Sequence, residues 1–315
     1  MIMMPGQSYR GELPPLTLSQ QTLAQQLRTD VERIASAPHH YLAYAELVAI
    51  ADYLEDQLTD VAQQGGEVER QDYLITGQTF SNLILELPGQ QQAEEILIIG
   101  AHYDSVDAPG GVPGANDNGS GVAAVLALAR HFAGHPQSRT LRFVAFTNEE
   151  PPFFQTETMG SLVYAQRCRE REEKVVGMLS LETMGYYDDA PGSQTYPLGL
   201  LDQIYPIQGN FISFVGNLDS AKFVRQVVRQ FRESISFPSE GAILPGAVPG
   251  AGWSDHWSFW QQGYPALMVT DTAPFRYPYY HTPEDTSDKI DYERLARVVE
   301  GLVSVVTDLG GFLER

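Results

Sequence analysis

The 315-residue chain is short of basic residues: 20 Lys plus Arg stand against 40 Asp plus Glu, a formal charge of −20. A surface that negative repels phosphate backbones and anionic lipid, so nucleic acid and membranes are excluded as expected partners. It weakly favours a cationic substrate such as a free amino terminus, and it also keeps a protein in solution. Cysteine is nearly missing. Cys168, the single one, cannot close an internal disulfide and rules out a zinc site built on thiolates. Its setting, Tyr164-Ala165-Gln166-Arg167-Cys168, reads as a helix face with a packing role. No run approaches the ~20 apolar residues of a membrane span. Met1–Gln7 lacks the basic region and apolar core of a signal peptide, so the expected location is cytoplasmic.

Two nucleophile and phosphate signatures are also missing. There is no G-x-S-x-G elbow, and Ser254-Asp255-His256 places its three residues consecutively, which a serine triad does not do. The glycine-rich loop 110–121 lacks G-K-[ST], which excludes a phosphate cradle of that type.

What is present is a packed, loop-rich globule: 43% hydrophobic residues with 28 Gly and 20 Pro. Residues 1–17 read as an arm, and 18–315 as one domain. Helices are expected over 18–36 and 41–64, the second from Leu47, Ile50, Ala51, Leu54 and Leu58 recurring at three- and four-residue intervals. Strand candidates follow at 68–76, 80–87 and 96–101, then a helix over 119–133 and a strand at 141–146. A helix over 160–171, a strand at 175–181 and a long loop at 183–209 come next. The chain continues with strand 211–215, helix 219–235 and a Gly/Pro loop at 238–252. A short helix near Ser254, strand 266–270, loop 271–288 and helix 291–309 complete it. Helices alternating with apolar strands predict an α/β fold: a mostly parallel or mixed sheet covered on both faces.

Chemistry gathers where predicted strands end. The run Ile96–Ala101 delivers His102 and Asp104, and the Pro/Gly-rich loop after them brings in Asp117 just before a helix. Strand end, glycine-rich loop and helix start is where open α/β sheets hold ligands. Glu149-Glu150 follow strand 141–146, Glu182 follows strand 175–181, and His281 lies in the loop after strand 266–270. Four buried carboxylates in one place would repel one another severely without cations, and two divalent ions supply about that compensation. Imidazole and carboxylate without thiolate suit zinc first, with cobalt or manganese as alternatives. Pro151 ends the strand behind Glu149 and Glu150, so both carboxylates can approach one site, one on metal and the other moving protons. Asp104, two residues beyond His102, is the expected acceptor for the second ring N–H of that histidine. Ser254 and Asp255 read as a helix cap or as support for a nearby ligand. His39, His40, His131 and His135 have surface or packing roles.

The motifs G-A-H-Y-D-S, P-G-A-N-D-N-G-S-G, F-T-N-E-E, L-E-T-M-G-Y, S-D-H and Y-H-T-P-E-D-T resemble those of the co-catalytic zinc aminopeptidases. That family also holds glutamate carboxypeptidase, glutaminyl cyclase and the transferrin receptor ectodomain. The resemblance runs from about residue 80 to 310 with the motifs in the family's order. It implies a three-layer α/β/α sandwich with a mixed, mostly parallel sheet and two zinc ions bridged by Asp117. Glu150 and His281 would complete one site, His102 and Glu182 the other, with Glu149 as general base. A cis peptide at Asp117-Asn118 is implied as well. Position 182 is Glu where many members have Asp, but the longer arm still carries a carboxylate. The tyrosine that some members place just before Ser-Asp-His is replaced by Ala251-Gly252-Trp253, which leaves the carbonyl-polarising role unassigned.

The resemblance implies hydrolysis of an N-terminal peptide bond by water activated between the metals, on a peptide with a free N-terminus. Tyr186, Tyr187, Tyr205, Phe214, Trp253, Phe275 and Tyr277 are candidates for a side-chain pocket favouring apolar or aromatic residues. Two alternatives stay open: carboxypeptidase or glutaminyl cyclase chemistry on the same scaffold, and a non-catalytic binding module. A cyclase typically needs one metal, and a binding module should have lost ligands; none is missing here.

Overall fold

Side chains of the central strands alternate between two cores. Ile96 and Ile98 face one hydrophobic cluster while Leu97 and Ile99 face the other, and all four are buried. A strand buried on both faces requires a layer of helices on each side.

The computed structural model describes residues 4–311. Helices α1 (Leu18–Ile34) and α2 (Tyr44–Ala62) come first. Thr17 starts α1 with a capping box: its hydroxyl accepts the Gln20 N–H at 3.2 Å, and Gln20 Oε1 accepts the Thr17 N–H at 2.9 Å. Strands β1 (Glu67–Ile75), β2 (Gln78–Leu87) and β3 (Gln92–His102) follow. Next are α3 (Gly121–Ala133), β4 (Arg139–Phe146), α4 (Gly160–Glu170) and β5 (Lys174–Leu181). The last third holds β6 (Ile212–Gly216), α5 (Ala221–Ser234), β7 (Ser239–Ile243) and α6 (His256–Gln261). Strand β8 (Ala266–Thr270), the single turn α7 (Ala273–Arg276) and α8 (Tyr292–Gly310) complete it.

The strands form one sheet in the order β1-β2-β4-β3-β5-β8-β6-β7. Neighbours from β4 to β8 run parallel, as do β6 and β7, while β1–β2, β2–β4 and β8–β6 are antiparallel. Helices α4 and α6 cover one face; α1, α2, α3, α5 and α8 pack on the other. This is the expected mixed α/β/α sandwich. Phe143 and Phe214 are fully buried in the larger core, where truncation to Ala should cost about 3–5 kcal/mol each. Among the described residues no helix is long and apolar enough to cross a membrane.

Two elements depart from the sequence expectation. Strand β7 lies inside the stretch expected as a Gly/Pro loop, and α7 inside the loop expected at 271–288. Ser239-Glu240-Gly241-Ala242-Ile243 carries little strand signal of its own; its ladder to β6 makes it a strand. The segment 183–209 is the long loop expected, with one short turn at Leu201–Gln203 and an isolated bridge between Asp188 and Gly209. Of the expected arm, residues 1–3 lie outside the described residues. The remainder is tied down by Arg232 Nη1 donating to Pro5 O at 3.0 Å, Ser239 N–H donating to Ser8 Oγ at 2.9 Å, and Arg297 donating to Pro14 O.

Candidate metal centre

The parallel strands β4, β3, β5 and β8 end along one edge of the sheet, and the six singled-out residues converge there. His102 is the last residue of β3, Glu182 directly follows β5, and Glu149 and Glu150 follow β4. Asp117 comes from the turn ahead of α3, and His281 from the loop after β8. His102 Nε2 stands 3.3 Å from Asp117 Oδ1 and 3.3 Å from Glu182 Oε2. His281 Nε2 stands 3.1 Å from Asp117 Oδ2 and 3.3 Å from Glu150 Oε1. Two triads therefore share one carboxylate: His102–Asp117–Glu182 and Asp117–Glu150–His281, each close enough to hold one ion. Glu149 belongs to neither; its Oε2 lies 3.9 Å from His102 Nε2.

The donor set fits a divalent cation in each triad. His102 Nε2, Asp117 Oδ1, Glu150 Oε1 and His281 Nε2 are buried atoms that complete no hydrogen bond, although each faces an oppositely polar atom of the cluster. Unpaired buried polar atoms are costly, and coordination is a way of satisfying all four together. Among the described residues the ion-pair partners of Asp117, Glu149, Glu150 and Glu182 are only these two histidines.

The electrostatics carry the same signature. Burial pushes Glu150 and Glu182 up to about 7, and holds Glu149 well above the carboxylate range. Asp117 goes the other way: despite its burial, His102 and His281 hold it below its ordinary value. The carboxylates in turn outweigh burial at the histidines, raising His281 to about 10 and His102 well above 6.5.

Strain and tight packing position the candidate ligands. Asn148, Thr183 and His281 adopt φ of 58°, 51° and 57°, a left-handed conformation that costs roughly 1–3 kcal/mol for a non-glycine residue. The first two stand next to Glu149 and Glu182, and the third is itself a candidate ligand. The Asp117–Asn118 peptide is cis. A Cβ on Gly121 would meet Leu181 O at 2.2 Å, so only glycine lets α3 start this close to the end of β5.

Asp104 requires a correction. The second ring nitrogen of His102, Nδ1, lies 3.0 Å from the main-chain carbonyl of Asp104 and 3.6 Å from its carboxylate. The carboxylate is engaged elsewhere, accepting the N–H groups of Glu149 and Glu150 at 3.1 Å each. Asp104 thus aims the two glutamates, and its backbone rather than its side chain fixes the histidine. Ser254 donates to Glu182 Oε2 at 2.8 Å. Asp255 is fully buried at the start of α6 without capping it, and neither carboxylate oxygen has a hydrogen-bond partner. His256 Nε2 lies 2.9 Å from Ala251 O and its ring packs edge-on to Trp260, outside any triad.

Three supports went unnoticed in the sequence. Asp285 accepts the N–H groups of Asn116 at 2.8 Å and Asp117 at 3.1 Å, and the Tyr277 hydroxyl at 2.7 Å. Asp271 accepts from Asn116 Nδ2 at 2.9 Å, and from Tyr186 N–H and the Thr183 hydroxyl, both at 2.8 Å. Asn116 links the two acids. Asn116 and Asp285 stand inside the quoted motifs P-G-A-N-D-N-G-S-G and Y-H-T-P-E-D-T, whereas Asp271 offered only a charge directly after a strand.

A mostly apolar cleft opens beside Glu182 and Tyr280. Of the expected pocket residues, Tyr205, Trp253 and Phe275 line it. Tyr187 and Phe214 do not: they belong to the larger core on the far face of the sheet. Tyr277 is buried against Asp285, and Tyr186 packs on its ring at 4.8 Å. Tyr280 lines the cleft and stacks on His281 with ring centroids 3.8 Å apart.

Comparison with known proteins bears on the family and the fold. The uncharacterized protein YfbL of Escherichia coli K12 is 40% identical over 261 residues, covering 81% of this chain and 78% of the relative. The probable leucine aminopeptidase 1 of Trichophyton verrucosum is 27% identical over 239 residues, 72% of this chain and 57% of the relative, so the chain spans little more than half that protein. Among solved structures, a zinc aminopeptidase from Bacillus subtilis superposes with a TM-score of 0.57 at 27% identity, over 75% of this chain and 51% of that one. A glutaminyl cyclase from Tannerella forsythia shares the fold, with a TM-score of 0.66 at 23% identity over 90% and 98%. The profile described as peptidase family M28 matches residues 82–306, and the chain belongs to that family of metal-dependent peptidases.

Proposed function

We propose that this chain is an aminopeptidase that releases the first residue of a peptide with the help of two divalent ions, zinc first. His102 and Glu182 would hold one ion, Glu150 and His281 the other, with Asp117 shared. The observation that carries the reading is the carboxylate of Asp117, which presents one oxygen to each histidine at 3.3 and 3.1 Å. The cleft supports the choice of terminus. Its described lining holds no lysine or arginine to receive a C-terminal carboxylate, and its charged groups are Glu182 and Glu240. A free ammonium group suits such a cleft; a carboxylate does not.

Ions bound in the two triads would supply Lewis acidity, lowering the pKa of water and polarising a peptide carbonyl. Glu149, buried and outside both triads, takes the proton of the attacking water and passes it to the leaving amine. Its backbone N–H, held by Asp104, fixes where that carboxylate stands. Tyr280, stacked on His281 at the cleft wall, takes the carbonyl-polarising role that the sequence left unassigned.

The test is a panel of aminoacyl-p-nitroanilides with free and acetylated amines, before and after chelation and zinc re-addition. The expected outcome is cleavage confined to free amines, lost with chelator and restored by zinc. Equal rates on acetylated substrates, or no cleavage of any free amine, would overturn the reading.

A further inference from the structure

The cleft floor has a register that assigns chemistry to each of its ends. Three strands build it, β8, β6 and β7. Thr270 pairs with Ser213, and Ser213 with Glu240, giving one row of polar side chains across the floor. The adjacent row is apolar, with Met268 paired to Val215 and Val215 to Ala242. All six residues line the cleft. Thr270 stands at the metal end, its hydroxyl 3.3 Å from that of Thr183, the residue after Glu182. Glu240 stands at the other end, three strand spacings from β5, on the order of 14 Å across the sheet.

The protein meets the Glu240 charge only in part. Arg232 Nη2 lies 3.7 Å from Glu240 Oε2, beyond hydrogen-bond distance. That guanidinium spends its donors on Ser239 Oγ at 3.2 Å, Ser239 O at 2.7 Å and Pro5 O at 3.0 Å. The Ser8 hydroxyl and the charge of Arg10 also favour the ionised Glu240, yet burial outweighs them and raises the pKa of its carboxyl. A half-buried carboxylate at the end of a mostly apolar cleft, with no cationic group within hydrogen-bond distance among the described residues, is a place for a ligand cation.

Resting on the aminopeptidase reading, we propose that Glu240 makes this cleft a side-chain pocket selective for a first residue with a long apolar arm ending in a cation, lysine or arginine. The methylenes lie along Met268, Val215 and Ala242, and the terminal ammonium or guanidinium meets Glu240 at the far wall. A leucine-length side chain fills the near part of the cleft and stops short of the carboxylate.

The experiment compares kcat/KM for arginyl-, lysyl-, norleucyl- and leucyl-p-nitroanilide in the wild type and in Glu240→Gln, which keeps shape but removes charge. The wild type should favour the cationic residues over norleucine by about tenfold, the size of one moderate charge contact, and the variant should lose that ratio. Norleucine equal to or better than arginine in the wild type would overturn the proposal even without the variant, as would an unchanged ratio in Glu240→Gln. Either result leaves the aminopeptidase reading standing. If no anilide is cleaved, that reading fails and calorimetry with L-argininamide and L-norleucinamide decides this one. A Glu240-dependent preference for L-argininamide supports the pocket, and equal binding removes it.

Discussion

Ser254 donates its hydroxyl to Glu182 Oε2 at 2.8 Å, the oxygen that also stands 3.3 Å from His102 Nε2. The longer arm of a glutamate at this position has more rotamers to lose than an aspartate, and Ser254 selects one of them. Ser180, 2.7 Å from Ser254 Oγ, holds the donor in turn. Ser254→Ala should therefore weaken metal binding at the His102 side by about 10- to 100-fold, as loss of such supporting hydrogen bonds does. Activity titrated against zinc should show the shift, with kcat recovered at saturating metal. An unchanged zinc requirement would mean that Asn118, whose Nδ2 donates to the same oxygen at 3.4 Å, holds Glu182 without Ser254.

Glu149 is the test of proton transfer. Because it lies outside both triads, Glu149→Gln should leave metal content as it is. The drop in kcat should be on the order of 10²–10⁴, the usual contribution of a positioned acid–base group. Metal analysis alongside kinetics separates the two effects. Turnover within a few-fold of wild type would remove Glu149 from the role.

The candidate ligands at strand ends were legible because each follows an apolar strand with an ionisable residue that packing does not explain. His102 after Ile96–Ala101 and Glu182 after Val175–Leu181 are examples. The supports were not legible, because Asp285 and Asp271 reach Asn116 across long sequence separations with no local pattern. Phe214 was misread from its type alone. In β6 it alternates with Ser213 and Val215 and so faces the larger core, whereas those two floor the cleft. Glu240 stayed hidden for a related reason: Ser239-Glu240-Gly241-Ala242-Ile243 holds a single β-branched residue and so does not announce itself as a strand, and nothing placed its carboxylate opposite Ser213.

Stripped of metal, the site should make the protein less stable as pH rises. Burial lifts Glu150 and Glu182 to about 7, above their value near 4.5 in the unfolded chain. That stability is present below about 4.5 and is lost as pH rises through about 7. His281, raised to about 10, contributes stability below about 6.5 that fades toward 10, so it acts in the same direction. Asp117, held low, is ionised in both states throughout this window and adds no slope. The melting temperature of the chelated protein should therefore fall between pH 5 and 8. Zinc should stabilise most at the upper end, where the carboxylates of Glu150 and Glu182 are already deprotonated and fewer protons remain for it to displace. A chelated protein that gains stability over that range would contradict the buried-carboxylate account.

Asp104 supplies the sharpest separation of aim from chemistry, because its carboxylate touches neither triad's ligand atoms yet holds both Glu149 and Glu150 by their N–H groups. Asp104→Ala leaves two buried donors without an acceptor, at about 1–3 kcal/mol each. Asp104→Asn keeps one acceptor oxygen and should cost about half as much. If the role is to aim the glutamates, kcat should fall in the same order, Ala below Asn below wild type, while KM for a small anilide changes little. The melting temperatures should rank the same way. A variant that loses stability without losing kcat would assign Asp104 to the fold alone, because two correctly aimed glutamates would then need no anchor beneath them.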